Sequence, residues 1–357
     1  MRKCYTRPCN FYYGNYAKSL INKKKALALA GNPNIAFDKL EIFQRKKRGV
    51  TQSNIYPITE IKNLRREIKS SVNIDLKKII SKRKSISGLK FDQPQIMGVL
   101  NVTPDSFSDG GLFFDQSKAY QQAKQMIIDG AKIIDIGGES TRPGSKIVNE
   151  KEEWNRIKKI IIKIKKNFPK IPLSLDTRKS HVMKKGIECG VNLINDVSGF
   201  SFDDDTIFTL RKYKIPFVIH HMQGTPKNMQ KNPIYKNVLL DIYDFFENKI
   251  KKMRHIGIKH DNIILDPGIG FGKNLKHNIT LLNNISIFHS LGFPIMLGIS
   301  RKKFIKDLSG NNDSKERLGG TISSSLYAMT QGVQILRVHD VNEVNQSIKV
   351  FKSLNFK

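Results

Sequence analysis

The hydrophobic pattern of the chain repeats over most of its length. From Ile96 onward, short β-branched runs recur, each followed by a polar stretch and then by an amphipathic segment of helical length. The strand candidates, in chain order, are IMGVLNV from Ile96, KIIDIG from Lys132, PLSLD from Pro172, NLINDV from Asn192, PFVIHH from Pro216, NIILDPG from Asn262, PIMLGIS from Pro294 and VQILRVH from Val333. Because eight parallel strands close a barrel, we predict an α/β fold of the (β/α)8 TIM-barrel type.

The intervals between these strands are long enough for helices. Residues 150–168 are rich in Lys and Ile, and residues 235–255 form a second long amphipathic stretch. An open doubly wound sheet would also alternate strands and helices, but it would not require eight units with polar residues at every strand end. The barrel therefore explains the pattern better.

The N-terminal part of the chain has a different pattern. Residues 1–90 are more basic and lack the strict alternation, although residues 35–45 resemble a strand and residues 59–70 resemble a helix. We predict a small N-terminal α/β appendage whose role is unknown. Residues 81–90 are polar and contain Gly, as is typical of a linker. The expected domains are therefore 1–90 and 91–357.

The chain is strongly basic, with 62 Lys and Arg against 31 Asp and Glu and a net charge of +31. Such a charge attracts anionic partners, including nucleic acid. The basic residues are mostly Lys, however, and they are scattered among Ile and Asn rather than clustered with aromatic residues. This distribution favours a general compositional bias, and nucleic acid is not an expected partner.

Cysteine content and apolar runs bear on localisation. The three cysteines are odd in number and have no metal-ligand spacing, which is typical of a reducing compartment. No apolar run has the length of a secretory signal or a membrane span, so we expect a cytoplasmic protein without a membrane partner. Import into an organelle is less expected, because the N-terminal segment is rich in Lys rather than in Arg and Ser.

Polar residues occupy the predicted carboxyl ends of all eight strands, where barrel enzymes build their active sites. In strand order they are Asn101, Asp135 with Thr141 and Arg142 in the following loop, Asp176, Asn195 with Asp196, His220 with His221, Asp266, Ser300 with Lys302, and Arg337 with His339. Since a barrel core is filled by branched apolar side chains, these polar groups should face a common mouth. Asp135 and Asp196 are explained equally well as braces for neighbouring loops.

Three of these strand ends suit a flat heterocyclic ligand. Asp176, Asn195 and Asp266 lie on separate strands and can surround such a ring with donors and acceptors. A pterin fits this set, because its 2-amino and N3 hydrogens form a guanidine-like edge. A carboxylate such as Asp266 can accept both hydrogens in a fork.

The last strand end suits an anion. Arg337 and His339 resemble the phosphate-binding region that barrels often place after the seventh and eighth strands, and Arg offers paired donors to phosphate oxygens. Asn101 from the first strand could lend its amide oxygen to a Mg2+ ion that keeps several waters. Lys302 would lie between the two sets.

With these residues in view, the chain resembles the dihydropteroate synthase family from about Gln95 to the C-terminus. The motifs that carry the resemblance, in family order, are NVTPDSFSDGG from Asn101, GGESTRPGS from Gly137, SLDTRKS from Ser174, NDVSG from Asn195, HMQGTPKNMQ from His221, LDPGIGFGK from Leu265, GISRKKF from Gly298 and RVHDV from Arg337. Any one of them could arise by chance, but eight in register could not.

The resemblance implies a role for each matching residue. The residues implied to hold the pterin are Asp176, Asn195, Asp266 and Lys302, and those implied to bind pyrophosphate and Mg2+ are Asn101, Arg337 and His339. The loops implied to fold over the mouth carry Asp109, Thr141, Arg142 and Pro143, and the aminobenzoate pocket is implied to include Phe107, Phe271, Ser300 and Lys302. Lys302, Arg142 and Asp109 are the implied catalytic residues.

The implied reaction is the condensation of 6-hydroxymethyl-7,8-dihydropterin pyrophosphate with 4-aminobenzoate to give 7,8-dihydropteroate and pyrophosphate in folate biosynthesis. The resemblance also implies a Mg2+-dependent transferase, a sulfonamide target, and a homodimer formed through late helices near residues 323–331. Two departures from the family pattern are His220, where Met is common, and Asn228, where Thr is usual. His220 puts the fit of the substrate in doubt.

The nearest alternative is a methyltetrahydrofolate-dependent methyltransferase on a related pterin-binding barrel. Such an enzyme has no need for the Arg337 and His339 pair or for the ESTRPG segment, and the chain carries no cobalamin-binding signature. The synthase is therefore the favoured prediction.

Overall fold

The computed structural model describes residues 4–46, 51–103, 112–140, 145 and 147–356, with the backbone alone for residues 112–115. Its main body is an eight-stranded parallel sheet. The strands are β5 Gln95–Asn101, β6 Ile133–Gly137, β7 Leu173–Asp176, β8 Leu193–Asp196, β9 Phe217–His220, β10 Ile263–Asp266, β11 Met296–Gly298 and β12 Ile335–Val338. Each predicted strand is confirmed.

The sheet closes on itself as a barrel. Its order is β10-β9-β8-β7-β6-β5-β12-β11, and all the pairings are parallel. A parallel bridge between Leu265 and Ile295 joins β10 to the residue before β11, and the N–H of Leu265 donates to the carbonyl of Pro294 at 2.9 Å. The predicted (β/α)8 barrel is therefore confirmed.

Helices follow the strands and cover the outside of the barrel. They are α3 Leu112–Ile128, α4 Glu150–Asn167, α5 Ser180–Glu188, α6 Asp205–Tyr213, α7 Val238–His255, α8 Leu275–Asn283, α9 Lys303–Ser309, α10 Leu318–Thr330 and α11 Val341–Asn355. Asn149, Asn237 and Asn274 cap α4, α7 and α8 by accepting a backbone N–H of the first turn. None of the described helices is both long and apolar enough to cross a bilayer.

The amino-terminal end of the barrel is filled by apolar side chains. Seven of the strands contribute one buried residue each to this layer, namely Met97, Ile133, Leu193, Val218, Ile264, Met296 and Ile335. Ile86, Leu89 and Phe91, which precede the first barrel strand, pack against them. The barrel floor is thus a closed hydrophobic core, and the polar strand ends lie at the opposite, carboxyl end.

Residues 4–80 form an α/β unit with its own antiparallel sheet beside the barrel. Strands β1 Cys4–Tyr13, β2 Leu27–Leu29, β3 Asn32–Arg45 and β4 Thr51–Pro57 pair antiparallel, with helix α1 Gly14–Asn22 following β1 and helix α2 Arg66–Ile80 at the end. The helix predicted at 59–70 is confirmed in part, because it is interrupted and ends later than predicted. A 3-10 turn at Ile58–Asn63 is followed by an extended backbone at Leu64 and Arg65, and α2 then continues to Ile80, because the apolar positions Val72 and Ile79 bury its length against the sheet.

Buried contacts join this unit to the barrel. The ring of Tyr5 is fully buried and packs edge-on against Tyr243 of α7 at 5.2 Å, and its hydroxyl donates to Asp244 at 2.8 Å. Arg45 forms ion pairs with Asp241 and Asp244 at 2.9 and 3.0 Å. Since Tyr5 belongs to the same apolar cluster as the barrel helices, the two parts share a core.

Candidate active site

The centre of the barrel mouth is an ion-paired cluster around Arg337. Its Nε donates to Asp135 Oδ2 at 2.6 Å, and its Nη2 donates to Asp176 Oδ2 at 2.7 Å. Asn195 Nδ2 also donates to Asp135 Oδ2, at 3.0 Å. Burial raises the pKa of Asp176, and the neighbouring Arg337 guanidinium opposes that rise. Four strand ends, β6, β7, β8 and β12, therefore meet at one point.

Two acceptors in this cluster lack protein partners. Asp135 Oδ1 and Asn195 Oδ1 are buried, and no described residue donates a hydrogen bond to either. A buried acceptor without a donor costs about 1 to 3 kcal/mol. The fold therefore carries this cost at the cluster.

Asp266 lies at the end of β10 and is almost completely buried. Its Oδ1 accepts the backbone N–H of Gly268 at 2.8 Å, while no described residue donates to Oδ2. Burial raises the pKa of Asp266 to about 6, against the opposing effects of the Gly268 hydrogen bond, Lys302 and Arg337. At neutral pH the carboxylate is ionised and can accept ligand hydrogens.

Lys302 and Phe271 form one wall of the mouth. The Lys302 ammonium lies 4.0 Å from the centre of the Phe271 ring, a cation–π contact. Burial, followed by repulsion from Arg337, lowers the pKa of Lys302 to about 8. Gly270 permits this approach, because a Cβ there would lie 3.2 Å from Lys302 Cδ and its φ of +81° is unfavourable for other residues. Together these residues offer a flat, cationic surface to an aromatic substrate.

His220, the first departure from the family pattern, lies against this wall. Its ring packs edge-on to Phe271 at 4.6 Å, and Nδ1 contacts the Val197 carbonyl at 2.9 Å. Burial, with the charges of Lys273 and Lys302, lowers the pKa of His220 far below its ordinary value, so the ring stays neutral. Nδ1 carries the proton because it faces a carbonyl oxygen. His220 thus supports the Phe271 ring without adding charge to the pocket.

His339 and Ser300 form the second side of the mouth. The backbone N–H of His339 donates to Ser300 Oγ at 3.3 Å, and Nδ1 contacts the same oxygen at 3.1 Å. Burial and the nearby Arg337 lower the pKa of His339 to about 3, so its ring is neutral. Nε2 has no partner in the described part of the chain and can donate to an anion. Asn101 ends β5 on this side, and its Oδ1 lies beside Gly137.

Several predicted site residues lie outside the described residues, namely Phe107, Asp109, Thr141, Arg142 and Pro143. The structure does show how the loop after β6 is attached. Glu139 accepts from Arg178 and Lys179 at 3.0 Å each, and its other oxygen accepts the N–H of Val148 at 3.0 Å. Lys179 also pairs with Glu153 of α4. A buried charge network therefore holds the two ends of the segment that carries Thr141 and Arg142.

The two residues left open by the sequence behave differently. Asp196 braces its own loop, because it accepts from the backbone of Ser198 and Phe200 and from the Ser198 hydroxyl. Asp135 is instead a central member of the cluster and was missing from the predicted binding residues. Its sequence signal is a carboxylate inside an otherwise apolar strand, IIDIG, where it can persist only with charged partners.

Comparisons with known proteins agree with this geometry. The sequence profile of the pterin-binding enzyme family matches residues 97–339. A dihydropteroate synthase of Synechocystis is 41% identical over 259 residues, which cover 72% of this chain and 89% of the relative.

Solved structures are similar as well. The dihydropteroate synthase of Yersinia pestis in complex with a sulfonamide drug has 40% identity and a TM-score of 0.71, with 74% of this chain and 96% of that chain covered. The Xanthomonas albilineans synthase with 4-aminobenzoic acid has 34% identity and a TM-score of 0.71, with 75% and 96% covered. By its profile match, its relatives and its fold, the chain belongs to the pterin-binding enzyme family and, within that family, to the dihydropteroate synthases.

Proposed function

We propose that this chain condenses 6-hydroxymethyl-7,8-dihydropterin pyrophosphate with 4-aminobenzoate, releasing 7,8-dihydropteroate and pyrophosphate. The observation that carries the proposal is the set of polar strand ends: Asp176 and Asn195 lie in the cluster around Arg337, and Asp266 Oδ2 receives no hydrogen bond from the described residues. A pterin ring presents several N–H donors along its edge, and these would supply the missing partners. The ring would lie among the strand ends of β7, β8 and β10.

The pyrophosphate would lie on the His339 side of the cluster. Three donors on that side have no acceptor among the described residues: His339 Nε2, the Lys302 ammonium and Arg337 Nη1. Arg337 bonds Asp135 and Asp176 through Nε and Nη2, so it would connect the pterin side of the mouth to the pyrophosphate side. We propose that it orients the pterin as well as the anion.

Mg2+ is the cofactor that we propose for the reaction. No group of three or more His, Cys, Asp or Glu side chains within the described ranges could form a protein cage for a metal. The amide oxygen of Asn101 fits a Mg2+ ion that takes its remaining ligands from water and from pyrophosphate, as is usual for this ion. When bound, Mg2+ would neutralise charge on the leaving group.

The chemistry needs positioning more than proton transfer. The bond between the pterin methylene carbon and the pyrophosphate oxygen breaks, a bond from that carbon to the aminobenzoate nitrogen forms, and the amine proton leaves to solvent. The aromatic amine is nucleophilic without a base, so the protein would align it against the methylene carbon and stabilise the departing anion. Phe271 and Lys302 would hold the aminobenzoate, while His339 and Arg337 would hold the pyrophosphate.

We also propose that the protein binds sulfonamides, forms a homodimer and is cytoplasmic. The Yersinia pestis relative binds a sulfonamide drug, and the Phe271, Lys302 and Ser300 surface would take the same class of inhibitor. Tyr327 on α10 is partly exposed, which suits a homodimer through this helix. The three cysteines are free, as expected of the cytoplasm.

The test is a turnover assay with purified protein and Mg2+. The proposal predicts formation of 7,8-dihydropteroate from the pterin pyrophosphate and 4-aminobenzoate, together with an equal amount of pyrophosphate. The methyltransferase alternative predicts no such product and, instead, loss of the methyl group from methyltetrahydrofolate when a cobalamin acceptor is supplied. Only the second outcome would favour the alternative.

A further inference from the structure

Lys273 is a buried lysine beside the pocket, and the proposed mechanism gives it no part. Its exposed fraction is 2%, and it lies between the loop that follows β10 and the first residue of α8. Burial lowers the pKa of Lys273 far below its ordinary value. The Asp266 carboxylate raises this pKa, and the Lys302 charge lowers it further. A buried ammonium is stable only if each of its donors has an acceptor.

Three acceptors surround the Lys273 ammonium. Nζ donates to the carbonyl of Phe271 at 2.8 Å, to the carbonyl of His221 at 3.3 Å and to His221 Nδ1 at 3.0 Å. Since an ammonium has three donors, this set uses all of them. With an ammonium at Lys273, His221 Nδ1 is the acceptor and the ring carries its proton on Nε2. Burial and Lys273 lower the pKa of His221, which agrees with this assignment.

These contacts cross a seam between two backbone segments. The loop after β10 lies directly on the end of β9, because a Cβ at Gly268 would lie 2.0 Å from the His221 carbonyl and one at Gly272 would lie 2.5 Å from the Gln223 carbonyl. Lys273 bonds the Phe271 backbone on one side of the seam and His221 on the other. The Phe271 ring faces Lys302 and His220 from this loop.

We propose that Lys273 is a positioning residue for the 4-aminobenzoate pocket, holding the Phe271 backbone to His221 so that the Phe271 ring stays against Lys302. This inference rests on the proposed function. Because every donor of Lys273 bonds a protein acceptor, it acts through Phe271 rather than by touching substrate.

The Lys273 charge has a second effect, on Asp266. The charged and titratable groups that face Asp266 are Lys302 from the β11 end, Arg337 from β12, His220 from the neighbouring strand β9, and Lys273 itself. Lys302, Arg337 and Lys273 all favour the ionised carboxylate. Loss of the Lys273 charge should therefore raise the pKa of Asp266, whereas loss of its hydrogen bonds alone should not.

Two substitutions separate the hydrogen bonds from the charge. Lys273→Met removes both, Lys273→Gln keeps an amide donor without the charge, and Lys276→Met on the exposed side of α8 is the matched control. At pH 8 we expect Lys273→Met to raise the KM for 4-aminobenzoate about tenfold while kcat changes less than about threefold, the size expected for a lost charge-assisted hydrogen bond. Lys273→Gln should show a smaller rise in this KM, because its amide can still donate. Both variants lack the charge, so the acid limb of kcat/KM for the pterin pyrophosphate should move to higher pH.

Several outcomes would overturn the inference. It fails if Lys273→Met matches Lys276→Met in KM and in the acid limb. It also fails if kcat falls and both KM values rise together in Lys273→Met without recovery in Lys273→Gln. If circular dichroism shows that Lys273→Met is unfolded, Lys273→Gln decides alone, and wild-type KM and pH profile in that variant reject the proposal. A wild-type chain that makes no dihydropteroate would reject the proposed function itself, which is a separate result.

Discussion

Asp266 combines a binding role with a cost to folding. Its carboxylate is buried, and its pKa is raised by burial from an ordinary value of 3.8 to about 6. A group with a raised pKa in the folded state stabilises the fold below its ordinary pKa, and that contribution is lost as the pH rises through the folded value. Between about pH 4 and 6 the unliganded protein should therefore lose stability from this residue.

The Asp266→Asn substitution should reveal this cost in the absence of substrate. At pH 8 we expect the variant to be more stable than wild type by about 1 to 3 kcal/mol, because a shift of about two pKa units corresponds to roughly 3 kcal/mol and the Gly268 hydrogen bond is partly lost. At pH 4 the difference should largely vanish. Urea unfolding at the two pH values measures it, with the exposed Asp205→Asn as control. A gain of equal size at both pH values would contradict the assigned pKa.

Most site residues were predictable because each ends a strand. Asp176, Asn195 and Asp266 follow short apolar runs directly, so a sequence pattern places them at one mouth. The role of Asp135 was left open because it depends on the ion pair with Arg337. Arg337 is 202 positions away, and its side chain reaches Asp135 only in the closed barrel. Lys273 was not distinguished from the many exposed lysines of the chain, because its burial depends on the backbone of β9.

At the scale of elements, the network of Glu139, Arg178, Lys179 and Glu153 joins β6, β7 and α4. Lys179 bonds both glutamates, and the side chains of all four residues are nearly inaccessible. Burial raises the pKa of Glu153 despite its pairing with Lys179. Removing Lys179 should leave the buried Glu153 without its cation and Glu139 with Arg178 alone.

We therefore expect Lys179→Met to destabilise the fold by about 3 to 5 kcal/mol, as for other buried ion pairs that lose one partner. Lys184→Met, on the exposed face of α5, should change stability by less than about 0.5 kcal/mol. Denaturant unfolding compares the two. The double variant Lys179→Met with Glu153→Gln should recover part of the loss, and equal stabilities of the two single variants would rule out the network as a structural anchor.

The strands were predicted more reliably than the helix of the appendage. Each barrel strand is buried on both faces, so its apolar run is continuous and bounded by polar residues. The helix predicted at 59–70 has the wrong bounds, because residues 58–64 carry apolar side chains at helical spacing but Ile61 packs within a 3-10 turn. Local periodicity could not show where the chain leaves the helical conformation.

At the scale of the whole molecule, Arg83 joins the appendage to the barrel. Its guanidinium is buried and donates to the carbonyls of Lys78 and Ser81 at the end of α2 and to those of His289 and Phe293 in the barrel. Burial lowers the pKa of Arg83 to about 10, so it stays charged at neutral pH. Together with Tyr5 and Arg45, it makes one folded body of two units that the sequence pattern separates.

Arg83→Met should destabilise the protein by about 2 to 4 kcal/mol, because four carbonyls lose their donor. Lys84→Met is the neighbouring control, since Lys84 forms a pair with Asp261 that is exposed to solvent and contributes little. Differential scanning calorimetry should show one cooperative transition at a lower temperature for Arg83→Met. Two separate transitions in the wild-type protein would contradict the shared core.

The account depends most on pterin recognition by the strand ends that carry Asp176, Asn195 and Asp266. The most direct test is calorimetric binding of 6-hydroxymethyl-7,8-dihydropterin pyrophosphate, with Mg2+ at pH 8, to wild type and to Asp266→Asn. The substitution places an amide donor opposite a ring donor, so we predict weaker binding by about 2 to 4 kcal/mol, or roughly 30-fold to 1000-fold in Kd. An affinity within about twofold of wild type would contradict the placement of the pterin at Asp266 and with it the proposed site.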